Sequence, residues 1–168
     1  MPHALCASPV QGVGAGRSIL QQDLAAHPIV HDLVGRAGLL EGEAMALHTS
    51  LHIGGPADYY IAPQNGDELA DVYAIAAANK IPFFLLGGGS NILVSDKGIR
   101  GLVIDISSVK GIKINGLSVT ALAGTEISRV AEESAEAGLK GLENFFSMPG
   151  SVGGALWMNA RCYGRSIS

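Results

Sequence analysis

The chain has 168 residues, of which 48% are hydrophobic and 15% charged, a composition typical of one globular domain and unlike that of a disordered chain. Its 11 basic and 15 acidic residues give a net charge of -4, so no basic surface for nucleic acid is indicated. No apolar run reaches the roughly 18 residues of a membrane span, so no membrane partner is expected. Glycine accounts for 23 residues. This is about twice the usual ~7% and predicts tight turns and close backbone approaches.

The N-terminal part differs in composition from the rest. All five histidines precede residue 58 and all nine aromatic residues follow it, so we expect residues 1–45 to be an extension with short helices and residues 46–168 to be the main domain. Cys6 and Cys162 lie far apart, which favours neither a disulfide framework nor a metal site and indicates a reducing compartment. The N-terminus lacks the pattern of a secretory signal, so we expect the cytoplasm.

From residue 58 onward, β-rich apolar runs alternate with segments whose apolar residues recur at helical spacing. The predicted strands are Asp58–Ala62, Pro82–Leu86, Ile92–Val94 and Gly101–Ile106. The uninterrupted apolar run of Pro82–Leu86 favours a fully buried strand. The predicted helices are Asp67–Asn79, with Asn65 or Asp67 as its N-cap, and Ser128–Ala137, ended by Gly138.

A hairpin is predicted where Ile112–Ile114 and Leu117–Leu122 flank Asn115-Gly116, because Asn-Gly is the strongest short hairpin signal. The order of elements is therefore β-α-β, then a hairpin, then a helix. This order predicts a mixed α/β or α+β domain rather than a doubly wound sheet.

The first candidate site is the run of three glycines that follows a predicted strand, Gly87-Gly88-Gly89-Ser90-Asn91. Consecutive glycines let several backbone N–H groups point into one concavity, where they bind phosphate oxygens, and Ser90 and Asn91 add side-chain donors. Neither the Rossmann GxGxxG pattern nor GxxxxGK[ST] is present. A plain turn between two strands is the alternative reading of the same residues.

Three further segments are weaker candidates for a site. Pro149-Gly150-Ser151 does not fit the GxSxG nucleophile elbow, so this segment is either another close-approach loop or a surface turn. His52, in a polar loop, is best read as solvated. Asn159 and Tyr163 lie on an apolar stretch, as expected either for the wall of a ligand site or for a core strand.

Four segments considered jointly resemble the UDP-N-acetylenolpyruvoylglucosamine reductase family. They are TSLHIGGPADYY (residues 49–60), LLGGGSNILVSDKGIRGLVIDIS (85–107), AGTEIS (123–128) and GLKGLENFFSMPGSVGGALWMNARCYG (138–164). The resemblance covers residues 48–168. It implies an FAD-binding fold of the PCMH or vanillyl-alcohol-oxidase type, with a β-α-β subdomain beside an incomplete second mixed β subdomain.

The resemblance also implies which residues contact non-covalently bound FAD. The triple-glycine run would hold the diphosphate, the Pro-Gly segment would pass close to the flavin and its phosphates, Gly124 would sit on a neighbouring strand end, and two polar residues would line the cleft near the isoalloxazine. The implied residues are Gly87, Gly88, Gly89, Ser90, Asn91, Gly124, Pro149, Gly150, Ser151, Gly153, Gly154, Asn159 and Tyr163. A diphosphate needs several N–H donors, and a flat ring needs backbone without side chains on one face.

The reaction implied by the resemblance uses NADPH to reduce FAD, and the reduced flavin then gives hydride to the enolpyruvyl double bond of a small nucleotide-sugar substrate. Two local departures are Arg161-Cys162 where the family usually has Gly-Ala, and His52 where it has Lys or Arg. In the family, the catalytic serine, arginine and glutamate and the substrate domain lie C-terminal to the motif ending at Gly164. We therefore expect a truncated reductase that contains no catalytic residues and does not turn over alone.

Two other functions remain open from the sequence. The chain could be part of another flavoprotein oxidoreductase of the same fold, although no histidine that could tether a flavin lies near either glycine-rich segment. It could also be a non-catalytic nucleotide-binding module, or a structural domain whose glycines only make turns.

Overall fold

The computed structural model describes Leu5–Cys6 and residues 38–167. Most of the predicted N-terminal helical region, up to residue 37, lies outside these residues. The first strand, β1 (Leu5–Cys6), pairs in parallel with β5 (Ile92–Leu93). In the described part, the longest helix has 13 residues, and none has the length and apolar character needed to cross a bilayer.

A four-stranded sheet in the order β2-β3-β6-β4 forms the centre of the fold. Its strands are β2 (Leu40–Glu41), β3 (Ala57–Ile61), β4 (Phe83–Leu86) and β6 (Ile99–Asp105). The three longer strands are parallel to one another, and β2 runs antiparallel to β3 at the edge. Because β3, β6 and β4 are parallel neighbours, the carboxyl ends of all three lie at one edge of the sheet.

Helix α1 (Gly66–Ala78) connects β3 to β4 and covers one face of the sheet. Side chains alternate along a strand, so Ile61 and Ile104 point to this face and pack with Val72 of the helix. Ile61 and Ile104 are both 0% exposed. Successive residues of β3 and β6 point to opposite faces of the sheet, and both faces are covered. These strands therefore contain apolar residues in succession.

The opposite face of the sheet packs against residues that precede β3. Met45, Tyr60 and Val103 form a second buried cluster there, and Met45 is 0% exposed. A short 3-10 helix (Met45–Leu47) follows β2. Residues 40–45, which the sequence placed in the N-terminal extension, thus contribute an edge strand and a core side chain to the main sheet.

The ends of α1 agree with the predicted capping signals. The side chain of Asn65 accepts a hydrogen bond from Glu68 N at 2.9 Å, which confirms the predicted N-cap. At the other end, Lys80 adopts the left-handed conformation with φ of 54°. Ile81 N donates to Ala76 O at 2.9 Å, the long bond of a Schellman ending.

The prediction that Pro82–Leu86 is a fully buried strand is wrong in one respect. The strand exists as β4, but Phe83 and Leu85 are exposed and only Leu86 is buried. β4 is an edge strand of the four-stranded sheet, and α1 does not cover all of it. An uninterrupted apolar run therefore identified the strand but not its exposed positions.

The predicted hairpin is present as β7 (Ile112–Asn115) and β8 (Ser118–Ala121). Its turn lies one residue later than expected, because Asn115 pairs with Ser118 and leaves Gly116 and Leu117 as the two central residues. Gly116 has φ of 58°. A glycine at the first central position is typical of a type II′ turn, which explains the shift from the predicted Asn-Gly turn.

The C-terminal part forms a third cluster beside the sheet. Its elements are α2 (Ile127–Glu136), a 3-10 helix (Glu143–Phe145), α3 (Val152–Trp157), β9 (Arg161–Cys162) and β10 (Arg165–Ser166). Ile127 and Ala131 of α2 pack with Phe145 and Ala155. Gly138, with φ of 74°, ends α2 in a Schellman motif, as the sequence predicted.

We predict that Ile104→Ala lowers the free energy of unfolding by about 2–5 kcal/mol, because Ile104 is completely buried between the sheet and α1. Leu117→Ala is the matched control. Leu117 is 93% exposed at the hairpin turn, so its truncation should change stability by less than about 0.5 kcal/mol. Urea unfolding followed by circular dichroism measures both, and equal effects of the two substitutions would contradict this packing.

Candidate functional site

Two glycine-containing loops meet beyond the carboxyl end of the sheet. One is the triple-glycine loop between β4 and β5 (residues 87–91), and the other is the Pro-Gly loop before α3 (residues 147–151). A Cβ built on Gly88 would lie 3.4 Å from Gly150 Cα, and one built on Gly150 would lie 2.8 Å from Ser90 Oγ. The two loops are therefore in direct backbone contact, although about 60 residues of chain separate them.

A cavity of about 310 Å³ lies beside this contact. Five of the residues that the sequence assigned to the site line it: Gly88, Gly124, Pro149, Gly150 and Ser151. Five others line it that the sequence analysis did not propose: Ser107, Lys110, Glu126, Ser128 and Met148. The second group lies in the segment after β6, at the start of α2 and before Pro149. All of them except Lys110 fall within the segments that carry the family resemblance, but their residue types alone did not single them out.

Some of the glycines serve contacts inside the protein rather than the cavity wall. A Cβ on Gly87 would collide with Ser151 Oγ, and one on Gly89 would collide with the carbonyl oxygen of His48. A Cβ on Gly153 would lie 3.1 Å from the Ala123 side chain. At Gly89 a backbone carbonyl already occupies the space of a Cβ, whereas at Gly87 and Gly153 a Cβ would force a neighbouring atom to shift.

Gly124 has both roles. It lines the cavity, and a Cβ placed on it would collide with Ile106 O and lie 2.8 Å from Val109 O. Its own N–H donates to Val109 O at 3.0 Å. The segment that carries Gly124 is thus pressed against the chain that leaves β6.

The backbone N–H groups in the first turn of α3 donate hydrogen bonds to acceptors within the protein. Ser151 Oγ caps the helix by accepting from Gly154 N at 3.2 Å. Val152 N and Gly153 N each donate at 2.8 Å to carbonyl oxygens of the 123–125 segment. Gly153 and Gly154 therefore use their N–H groups within the fold and do not offer them to a ligand.

The backbone N–H groups of Gly88 and Ser151 are unused donors at the contact between the loops. In the described part of the chain, none of the hydrogen bonds within the protein uses either group. Both residues line the cavity. A polar ligand with several acceptor oxygens fits such a pair of donors.

Asn159 and Tyr163 do not reach this cavity. Asn159 has φ of 44° and ends α3, where Ala160 N donates to Ala155 O at 2.8 Å in a Schellman ending. Tyr163, 85% exposed, and Gly164 form the two-residue turn between β9 and β10. The structure gives both residues a local backbone role, and their predicted contact with an isoalloxazine stays a prediction.

A polar network centred on the buried hydroxyl of Tyr60 lies next to the triple-glycine loop. Tyr60 Oη donates to Asp105 Oδ2 at 2.5 Å and lies 3.0 Å from His48 Nδ1, and His48 Nε2 lies 2.8 Å from Glu43 Oε1. Burial, and then the hydrogen bond to Asp105, hold the pKa of the Tyr60 hydroxyl far above its ordinary value of 10.0. The hydroxyl is therefore a neutral donor at physiological pH.

This network is linked to the triple-glycine loop at two points. Asp105 pairs in register with Leu86, the residue before Gly87. His48 is followed closely by Ser50, whose N–H donates to Gly89 O at 3.0 Å. Sequence spacing gave no signal for this arrangement, because Tyr60 and Asp105 are 45 positions apart.

The fold is that of a flavin-nucleotide-binding domain. Residues 57–168 match the family model for the FAD binding domain, and the chain therefore belongs to that family. Relatives that it matches include reductases. One from Clostridium botulinum, UDP-N-acetylenolpyruvoylglucosamine reductase, is 42% identical over 137 residues, which are 82% of this chain and 45% of the relative. The chain thus spans about half the length of that relative.

Solved structures agree with this assignment. The UDP-N-acetylenolpyruvylglucosamine reductase from Thermus caldophilus superposes with a TM-score of 0.57 at 31% identity, covering 76% of this chain and 44% of that one. Cholesterol oxidase from Brevibacterium sterolicum superposes with a TM-score of 0.52 at 16% identity, covering 75% and 25% respectively, and shows the fold alone. The predicted resemblance to the reductase family and the predicted fold class are both confirmed.

We predict that Gly124→Ala destabilises the protein by about 1–3 kcal/mol, because the added methyl group meets two backbone carbonyls that the fold holds in place. Gly66→Ala is the control, since no atom lies within 4 Å of a Cβ at that position in the first turn of α1. It should leave stability unchanged or raise it by up to about 1 kcal/mol. Chemical denaturation distinguishes the two, and a neutral Gly124→Ala would refute the close approach.

We predict that Tyr60→Phe lowers the free energy of unfolding by about 1–3 kcal/mol near pH 7, because Asp105 loses a buried donor. The pKa of Tyr60 is raised by folding, so its contribution is complete below pH 10.0 and is lost as the pH rises further. The difference between wild type and variant should therefore shrink above pH 10. Tyr73→Phe, at a 50% exposed position, serves as the control. A difference that grows with pH would contradict the assigned donor.

Proposed function

We propose that the chain is the FAD-holding part of a reductase that acts on the enolpyruvyl ether of a UDP-sugar, in the synthesis of peptidoglycan precursors. The observation that carries the proposal is the convergence of the triple-glycine loop and the Pro-Gly loop on one cavity, in a chain of the FAD binding domain family. The names of the relatives supply the substrate class.

The residues present fit the diphosphate part of FAD. The walls at Gly88 and Gly150 have no side chains, so phosphate oxygens can approach the backbone closely. Gly88 and Ser151 each offer a backbone N–H to them. A cavity of about 310 Å³ is at the small end for a drug-sized ligand, so it accommodates part of the dinucleotide, and the remaining part extends along the neighbouring surface.

FAD, when bound, supplies the hydride chemistry, which no amino-acid side chain provides. The described residues bind and orient it: the two loops hold phosphate oxygens, and the Tyr60–Asp105 network keeps the triple-glycine loop in place. We assign these residues to binding only, and name no residue of this chain as a proton donor. NADPH as the reductant and the cytoplasm as the location are further parts of the proposal.

The test is a titration of the purified chain with FAD, followed by flavin fluorescence and absorbance. We expect one FAD per chain, released intact by acid or denaturant, as for a non-covalent cofactor. Gly88→Val should weaken binding at least tenfold, because its side chain fills the space against Gly150. Gly66→Val adds the same side chain in open space and should bind like wild type.

Circular dichroism of both variants separates loss of the cofactor site from loss of the fold. A folded wild-type chain that does not bind FAD would contradict the proposal. So would a folded Gly88→Val variant whose affinity for FAD equals that of wild type, since the triple-glycine loop would then have no part in binding.

A further inference from the structure

Lys110 is the basic side chain of the cavity wall. Among the ten described residues that line the cavity, it is the only lysine or arginine. Its Nζ lies 3.1 Å from Glu126 Oε1, and Glu126 lines the same cavity. The two side chains, 52% and 63% exposed, thus form an ion pair at the rim of the space beside Gly88 and Gly150.

The backbone around Lys110 is fixed by hydrogen bonds on both sides. Val109 O accepts from Gly124 N at 3.0 Å, and Gly111 N donates to Thr125 Oγ1 at 3.0 Å. Thr125 Oγ1 donates in return to Gly111 O at 3.1 Å. Val109 and Thr125 are both buried. The position of Lys110 at the rim is therefore set by the fold, and only its side chain is free to move.

We propose that Lys110 binds a phosphate oxygen of the dinucleotide, and that Glu126 is the counter-ion that holds it at the rim until the phosphate displaces the carboxylate. The inference rests on the proposed function, since it concerns the same cavity. The two loops offer uncharged N–H donors, whereas a diphosphate carries negative charge that a nearby ammonium group stabilises further.

Little free energy is lost when Lys110 exchanges Glu126 for a phosphate oxygen. An ion pair between exposed side chains contributes only about 0–1 kcal/mol, so Lys110 loses little when it leaves Glu126. A phosphate that sits against Gly88 and Gly150 is less hydrated, and its attraction to Lys110 is correspondingly stronger. Glu126 stays near the anion and repels it. The two residues should therefore affect FAD affinity in opposite directions.

The experiment measures the dissociation constant for FAD of the full chain by flavin fluorescence, at low salt and at roughly 1 M sodium chloride, where the Debye length is about 3 Å. Lys110→Gln should weaken binding about tenfold at low salt and have a smaller effect at high salt. Glu126→Gln should strengthen binding about threefold. Lys113→Gln is the matched control, because it removes the same charge from an exposed position on β7 outside the cavity.

The outcomes separate a wrong assignment of Lys110 from a failure of the proposed function. If wild type binds FAD and Lys110→Gln behaves like Lys113→Gln, the assignment of Lys110 is wrong while the proposed function stands. If Glu126→Gln weakens binding, the phosphates do not lie near this pair, and the inference is likewise overturned. If the folded wild-type chain does not bind FAD at all, the proposed function fails and this inference fails with it. Unfolding midpoints confirm that the variants are folded.

Discussion

The close approach of two glycine-containing loops is the constraint on which the rest of the site depends. Gly88 and Gly150 pack backbone against backbone, and Gly89 and Gly124 have no room for a Cβ because backbone carbonyls occupy the space. Because no side chain intervenes between Gly88 and Gly150, the part of the cavity wall at this contact is peptide backbone. Such a surface presents N–H groups at fixed positions, which suits phosphate oxygens better than flexible side chains do.

The sheet explains why these loops meet. The parallel strands β3, β6 and β4 end at the same edge, and both the triple-glycine loop and the segment carrying Lys110 leave from it. The hydrogen bonds of the 123–125 segment to Val109, Gly111 and Gly153 then join the C-terminal elements to this edge. The polar network of Tyr60 and Asp105 supports the loop from the other side, and thus links the stability of the sheet to the geometry of the site.

The sequence predicted most of the strands and helices, because capping residues, glycine endings and alternation are local signals. Asn65 and Gly138 end their helices as expected. It predicted the glycine-rich half of the cavity by family resemblance. It did not predict the pairing of Lys110 with Glu126, since the sequence around a charged residue does not show which partner it meets. Nor did it predict the network of His48 and Tyr60, whose members meet only in the folded chain. The hairpin turn shifted by one residue because Gly116 favours the first central position.

The central claim is that the two loops together hold the diphosphate of FAD, and amide chemical shifts in the ¹⁵N-labelled chain test it most directly. On addition of FAD, the account predicts that the amide signals of Gly88, Gly150 and Ser151 shift together, whereas those of Gly66 and Gly116, which do not line the cavity, stay in place. Shifts confined to one of the two loops, or absent from both while FAD binds elsewhere, would contradict the account.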